Sequence, residues 1–155
     1  MDDCPDAFAR ALGEYVVACG QLEQVVASSI KRLRGLELLE GLRLAERTGS
    51  FRNQRRLMRR AFLESHPEPD DALRQLDRLL NGIGEAFDHR NREIHSTAIY
   101  YGRARRPMRL TSPEPRAART FDLSLDAVRL RGMRDQIHSL RDELNAFTLR
   151  LGRPR

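Results

Sequence analysis

Apolar residues return along this chain every three or four positions, in long stretches broken by glycine, proline and acidic residues. The first stretch carries Phe8, Leu12, Tyr15, Cys19, Leu22, Val26, Ile30 and Leu33. That spacing puts them on one face of a helix. Asp3 or Asp6 can cap it, Pro5 is tolerated in its first turn, and Gly35 ends it. A short helix is expected near 38–46, closed by Thr48-Gly49, and another from Phe51 to about Ser65, ended by Pro67 and Pro69. Asp70 and Asp71 open the next helix, which should run to about Ser96. Its face at 73, 76, 80, 83, 87, 90 and 94 reads Leu, Leu, Leu, Ile, Phe, Arg, Ile, so Arg90 takes a slot where the pattern asks for an apolar side chain. Ser124 is the candidate N-cap of a last helix, with Asp126 in its first turn. There Leu130, Met133, Ile137, Leu140, Leu144, Phe147 and Leu151 form a seam for antiparallel packing or for a dimer partner.

Between the last two helices the pattern changes. Residues 98–101 are β-prone, and Pro107, Pro113 and Pro115 exclude a helix after them. Residues 108–111 and 119–123 are expected to form a small hairpin or irregular ribbon. The whole pattern predicts an all-α chain: a four- to five-helix up-and-down bundle with a small irregular or β-hairpin insertion before the last helix. No internal repeat or boundary divides it, so residues 1–155 are expected to form one domain.

Charge adds a partner class. The 155 residues hold 28 Lys+Arg against 22 Asp+Glu, a formal net charge of +6. Lys31 is the only lysine. Arginine offers a planar fork suited to phosphates and carboxylates, which fits a nucleic acid; GC-rich coding accounts for the Arg/Lys ratio equally well. Cys4 and Cys19 on one helix would stand roughly 22 Å apart, beyond disulfide reach. The reading is therefore a reduced, cytoplasmic protein with no signal segment and no apolar run long enough for a membrane. No zinc spacing, glycine-rich phosphate loop or Gly-x-Ser-x-Gly elbow is present, and no metal or cofactor is expected.

Candidate chemistry gathers around Arg90. A half-buried guanidinium is costly unless it has a partner or a task. Asp88, Asn91 and His95 form one polar stripe on the same helix, and the long Arg90 stem lets its guanidinium swing toward His95. Histidine moves protons near neutral pH, and arginine stabilises charge developing on a phosphate. Together these tasks suffice for metal-free RNA cleavage, in which a ribose 2′-hydroxyl attacks its own phosphate. The plainer alternative is a helix end with Arg90 paired to an acidic residue and His95 capping the last carbonyls.

Arg90-Asn91-x-x-x-His95 resembles the Arg-x(4–6)-His motif of HEPN domains, in which Asn commonly follows the Arg. Leu22-Glu23 on a long first helix, Ser50-Phe51 at the entry to the second region, the motif late on the third long helix and a Leu-rich final helix are similar to HEPN organisation. The resemblance implies a helical bundle that dimerises, so that two motifs form a composite ribonuclease site. It implies His95 as general acid and base, Arg90 on the scissile phosphate and Asn91 fixing their geometry, with Asp88 in support. Many such proteins are toxins paired with antitoxins, or defence effectors; others have lost activity and bind RNA, a nucleotide or a protein. One subgroup has Tyr two positions after the His, modified by its antitoxin. Here that position is Thr97, so the resemblance stops short of that subgroup.

Two further arginine groups are candidates for RNA binding. Arg52, Arg55, Arg56, Arg59 and Arg60 share one helix face, opposite Phe51, Leu57, Met58, Ala61 and Phe62. They either track phosphates or form a solvated face paired with nearby acids. Arg103, Arg105 and Arg106 follow the motif directly, in a basic stretch that either drapes over the site or serves as a solvated connection.

Overall fold

A computed structural model describes residues 5–66, 71–95, 98–100, 107–109 and 127–151, with side chains described for 7–66, 71–91 and 127–151. Five helices appear in chain order: α1 (Pro5–Arg34), α2 (Leu38–Thr48), α3 (Phe51–Ser65), α4 (Asp71–His95) and α5 (Ala127–Arg150). Each predicted apolar face is the buried one. Phe8, Tyr15, Cys19, Leu22, Val26, Ile30 and Leu33 of α1 meet Leu73, Leu76, Leu80, Ile83 and Phe87 of α4 in one core. Leu130, Ile137, Leu144 and Phe147 of α5 close it.

Cross-helix pairs fix the directions. Arg134 reaches Glu14, Arg141 reaches Gln21 and Thr148 reaches Ser29, so α5 runs parallel to α1. A side chain at Gly82 would meet Leu140, and Arg78 pairs with Glu143, so α4 runs antiparallel to α5. Phe51 packs on Phe87 while Arg59 pairs with Asp77, which sets α3 antiparallel to α4. Helices α3, α4 and α5 thus alternate in direction. The α5 seam is spent on α1 and α4 of its own chain, which leaves it unavailable to a dimer partner.

The turns follow local chemistry. Gly35 and Gly49 adopt φ of 63° and 73°, the left-handed conformation that glycine enters without a Cβ penalty. Asp6 lies inside the first turn of α1 and so does not cap it. Asp3, Pro67, Pro69, Asp70, Ser96, Ser124 and Asp126 lie outside the described residues. One close approach was not foreseen from the pattern. A Cβ built on Gly41 of α2 would collide with Lys31 Cβ and stand 3.0 Å from Lys31 Cα, so the α2 backbone lies directly against the base of the Lys31 side chain on α1.

After α4, β1 (Ala98–Tyr100) pairs antiparallel with β2 (Pro107–Arg109), with Ile99 opposite Met108. The expected hairpin joined 108–111 to 119–123. Met108 and Arg109 are taken by the β-prone strand that precedes them, and 119–123 lie outside the described residues.

Candidate functional site

A cleft of about 1060 Å³ opens where α1, α2, α3 and α4 diverge. Small residues make the room: Gly20 and Ala27 on α1, Ala45 on α2 and Gly84 on α4 line it. Phe51 forms its floor, meeting Phe87 edge-on at 5.1 Å between ring centroids. Arg90, Asn91, Asp88, Arg52 and Arg55 all border this one space. The helix that carries the motif and the helix that carries the basic face therefore contribute to the same cavity.

Arg90 follows Phe87 in the apolar seam of α4. Its side chain keeps 25% of its exposure, and its guanidinium carbon stands 5.0 Å from the Phe87 ring centroid. The stem lies along the core while the charge meets the aromatic face, an arrangement that suits arginine more than lysine. Glu23 of α1 forms an ion pair with Arg90 Nη1. Arg90 Nε and Nη2 donate to Asn91 Oδ1 at 3.3 and 3.2 Å. Arg90 turns Nη1 to α1, where a carboxylate answers its charge; the expected swing toward His95 involves a side chain outside the described residues. Asn91 likewise offers its carbonyl to Arg90. Asp88 is exposed on the cleft wall. His95 is the last residue of α4, and its side chain lies outside the described residues, as do Arg103, Arg105 and Arg106.

The basic face of α3 divides in two. Arg59 Nε donates to both oxygens of Asp77 at 3.1 and 3.3 Å, and Arg60 Nε donates to Glu64 Oε1 at 3.0 Å. For these two the solvated, acid-paired alternative holds. Arg52, Arg55 and Arg56 have no carboxylate partner among the described residues. The first turn of α3 holds no acidic residue, and the N-cap Ser50 makes no side-chain cap hydrogen bond. Cations near a helix N-terminus are disfavoured by the dipole, so this end of α3 is electrostatically unrelieved by its own chain.

Behind the cleft, Tyr15 and Cys19 are buried and hydrogen-bonded to each other. Burial pushes the Tyr15 hydroxyl above its ordinary range, and the neighbouring Cys19 adds to this. Burial likewise raises the Cys19 thiol, while the Tyr15 hydrogen bond and the Arg90 charge pull the other way. Both groups therefore stay neutral at physiological pH. Among the described residues no group of three or more His, Cys, Asp and Glu side chains could hold a metal ion, and no helix is long and apolar enough to cross a membrane.

Sequence reasoning missed Glu23 as the partner of Arg90. The two stand 67 positions apart, and periodicity on one helix does not report which residue of another helix it meets. Two signals pointed that way: the alternative in which Arg90 pairs with an acidic residue, and the place of Glu23 directly after Leu22 at the edge of the α1 stripe. Comparison of the chain with family models, with curated proteins and with solved structures finds no match.

Proposed function

We propose that this chain is a HEPN-like, metal-independent endoribonuclease acting as a homodimer, with Arg90, Asn91 and His95 contributed by each protomer to a composite site. The observation that carries the reading is Arg90 on the wall of an open cleft, its stem packed on Phe87 and its fork oriented by Asn91 and Glu23. A guanidinium fixed on three sides costs little to reorganise when charge develops on a phosphate. His95 follows Asn91 by four residues on the same helix, on the same side of α4.

In the reaction a ribose 2′-oxygen forms a bond to the adjacent phosphorus as the bond from phosphorus to the 5′-oxygen breaks. One His95 accepts the 2′ proton, and the partner subunit's His95 gives a proton to the leaving 5′-oxygen. The products are a 2′,3′-cyclic phosphate and a 5′-hydroxyl end. Arg90 neutralises the phosphorane-like charge, shared at that moment between Glu23 and the phosphate.

The test compares the wild type with His95→Ala on single-stranded RNA in EDTA. The wild type should cleave and leave cyclic phosphate ends, and the variant should be at least about 100-fold slower. Equal rates, or no cleavage by a folded wild type, sink the enzymatic reading. A second reading, a non-catalytic module that binds RNA, a nucleotide or a protein such as an antitoxin, is favoured by one fact: Glu23 already answers the Arg90 charge. Under it, salt-dependent RNA binding survives His95→Ala without cleavage by either protein.

A further inference from the structure

The five arginines of α3 are sequence-equivalent but not structurally equivalent. Arg59 and Arg60 each donate to a carboxylate, and Glu64 is shared with Arg34 at 2.8 Å. Arg52 and Arg55 have no carboxylate partner among the described residues, and both line the cavity that Arg90 borders from α4. Arg55 is only partly exposed, so its charge is partly desolvated without an anion to offset the cost. Glu46 and Asp88 also line the cleft and lack ion-pair partners among the described residues, but both are exposed on other walls, α2 and α4.

We infer that Arg52 and Arg55 form a second phosphate subsite on the α3 wall, which takes the phosphate neighbouring the one held by Arg90 on a single-stranded RNA. The inference rests on the cleavage reading for the identity of the strand. Two arginines one helical turn apart present forks suited to a single phosphate group. Phe51, on α3 beside Arg52 and packed on Phe87 of α4, also lines the cleft and is partly exposed, which offers an aromatic surface to an unpaired base. The cavity volume corresponds to a cube roughly 10 Å on edge, enough for a few unpaired nucleotides and too small to admit an A-form duplex.

The test uses the full chain carrying His95→Ala, so that RNA is bound and not cut. Fluorescein-labelled hexauridylate, the same length as a duplex, and uridine monophosphate are titrated at several salt concentrations. Arg52→Gln with Arg55→Gln should weaken hexauridylate at least 10-fold and flatten the log–log salt slope by about 0.7, the value for one phosphate of a single strand. Arg59→Gln with Arg60→Gln should change affinity less than about 2-fold. Lysine at 52 and 55 should restore much of the salt slope, which a purely structural role would not do. Circular dichroism confirms that each variant folds.

Equal losses for the two pairs, duplex bound as well as single strand, monophosphate bound as tightly as hexauridylate, or no binding at all would each overturn the subsite. Its failure is separable from that of the cleavage reading. A wild type that cuts RNA regardless of Arg52 and Arg55 rejects only the subsite. Strand binding through Arg52 and Arg55 with no cleavage rejects only the chemistry.

Discussion

Helix α1 meets two environments, and its polar residues fare differently in each. Toward α5, Thr148 donates to the Leu144 carbonyl at 3.0 Å and accepts from Arg32 at 3.1 Å, with the buried Ser29 hydroxyl 3.3 Å away. Asn145 Oδ1 takes another Arg32 N–H at 2.8 Å. Arg134 and Arg141 close the same flank on Glu14 and Gln21. Toward α2, α3 and α4 the same helix presents Gly20, Gln24 and Ala27 to an open cleft, where its Glu23 pairs with Arg90 and leaves Arg52 and Arg55 without a carboxylate partner among the described residues. The α5 side is satisfied within the chain. The cleft side leaves those two α3 guanidinium groups without a carboxylate among the described residues, so its polar groups are met less fully by the chain than those on the α5 flank.

The strongest way to break this contrast is to delete equal volume on each side. Leu144→Ala, on the sealed flank, removes a fully buried side chain and should cost about 2–5 kcal/mol in urea unfolding. Leu42→Ala, on the cleft rim at 41% exposure, should cost under about 1 kcal/mol. Similar losses at both would mean that the cleft is packed core.

Next in size is Thr148→Val, which preserves shape but strands the Ser29 hydroxyl and removes one acceptor from Arg32. A loss of about 1–3 kcal/mol is expected, and a neutral result would show that water already serves these groups.

The Tyr15–Cys19 pair sharpens the contrast by pH. Both folded-state pKa values are raised above their ordinary ones, so each group stabilises the fold fully below its unfolded pKa, and that contribution is lost as pH rises through the folded value. Stability should therefore begin to fall as pH passes the ordinary thiol value of 9.0, and Cys19→Ala should shift the onset upward toward the ordinary tyrosine value of 10.0. A pH profile unchanged by Cys19→Ala would remove the thiol from this account.

The smallest effect belongs to the cleft. Glu23→Gln deletes an ion pair whose partners keep 52% and 25% of their exposure, so stability should change by less than about 1 kcal/mol while RNA affinity rises as Arg90 is released. Lowered affinity would make Glu23 an aid to binding and not a competitor.

Much of the fold was legible because burial imposes a period. The α1 stripe from Phe8 to Leu33 and the α5 stripe from Leu130 to Phe147 are the buried faces, and Gly35 and Gly49 end their helices in the conformation that glycine favours. The cleft was only partly legible. Sequence spacing put Arg90, Asn91 and Asp88 on one helix and five arginines on another, but which of them share a cavity depends on how α3 crosses α4. Arg59 and Arg52 look alike until Asp77, eighteen positions beyond Arg59, claims one and not the other. The Ser29–Thr148 contact spans 119 positions, and neither residue departs from a local pattern that would announce it.

Helix α2 is held by shape more than by area. It exposes Leu38, Leu39 and Leu42 and buries Gly41 and Ala45. The usual order of tolerance to change should therefore run backward along it. Leu38, Leu39 and Leu42 can vary among many residue types at little cost to the fold, while the residue with no side chain is the one that cannot be replaced without prying α2 from α1 and altering the wall of the cleft.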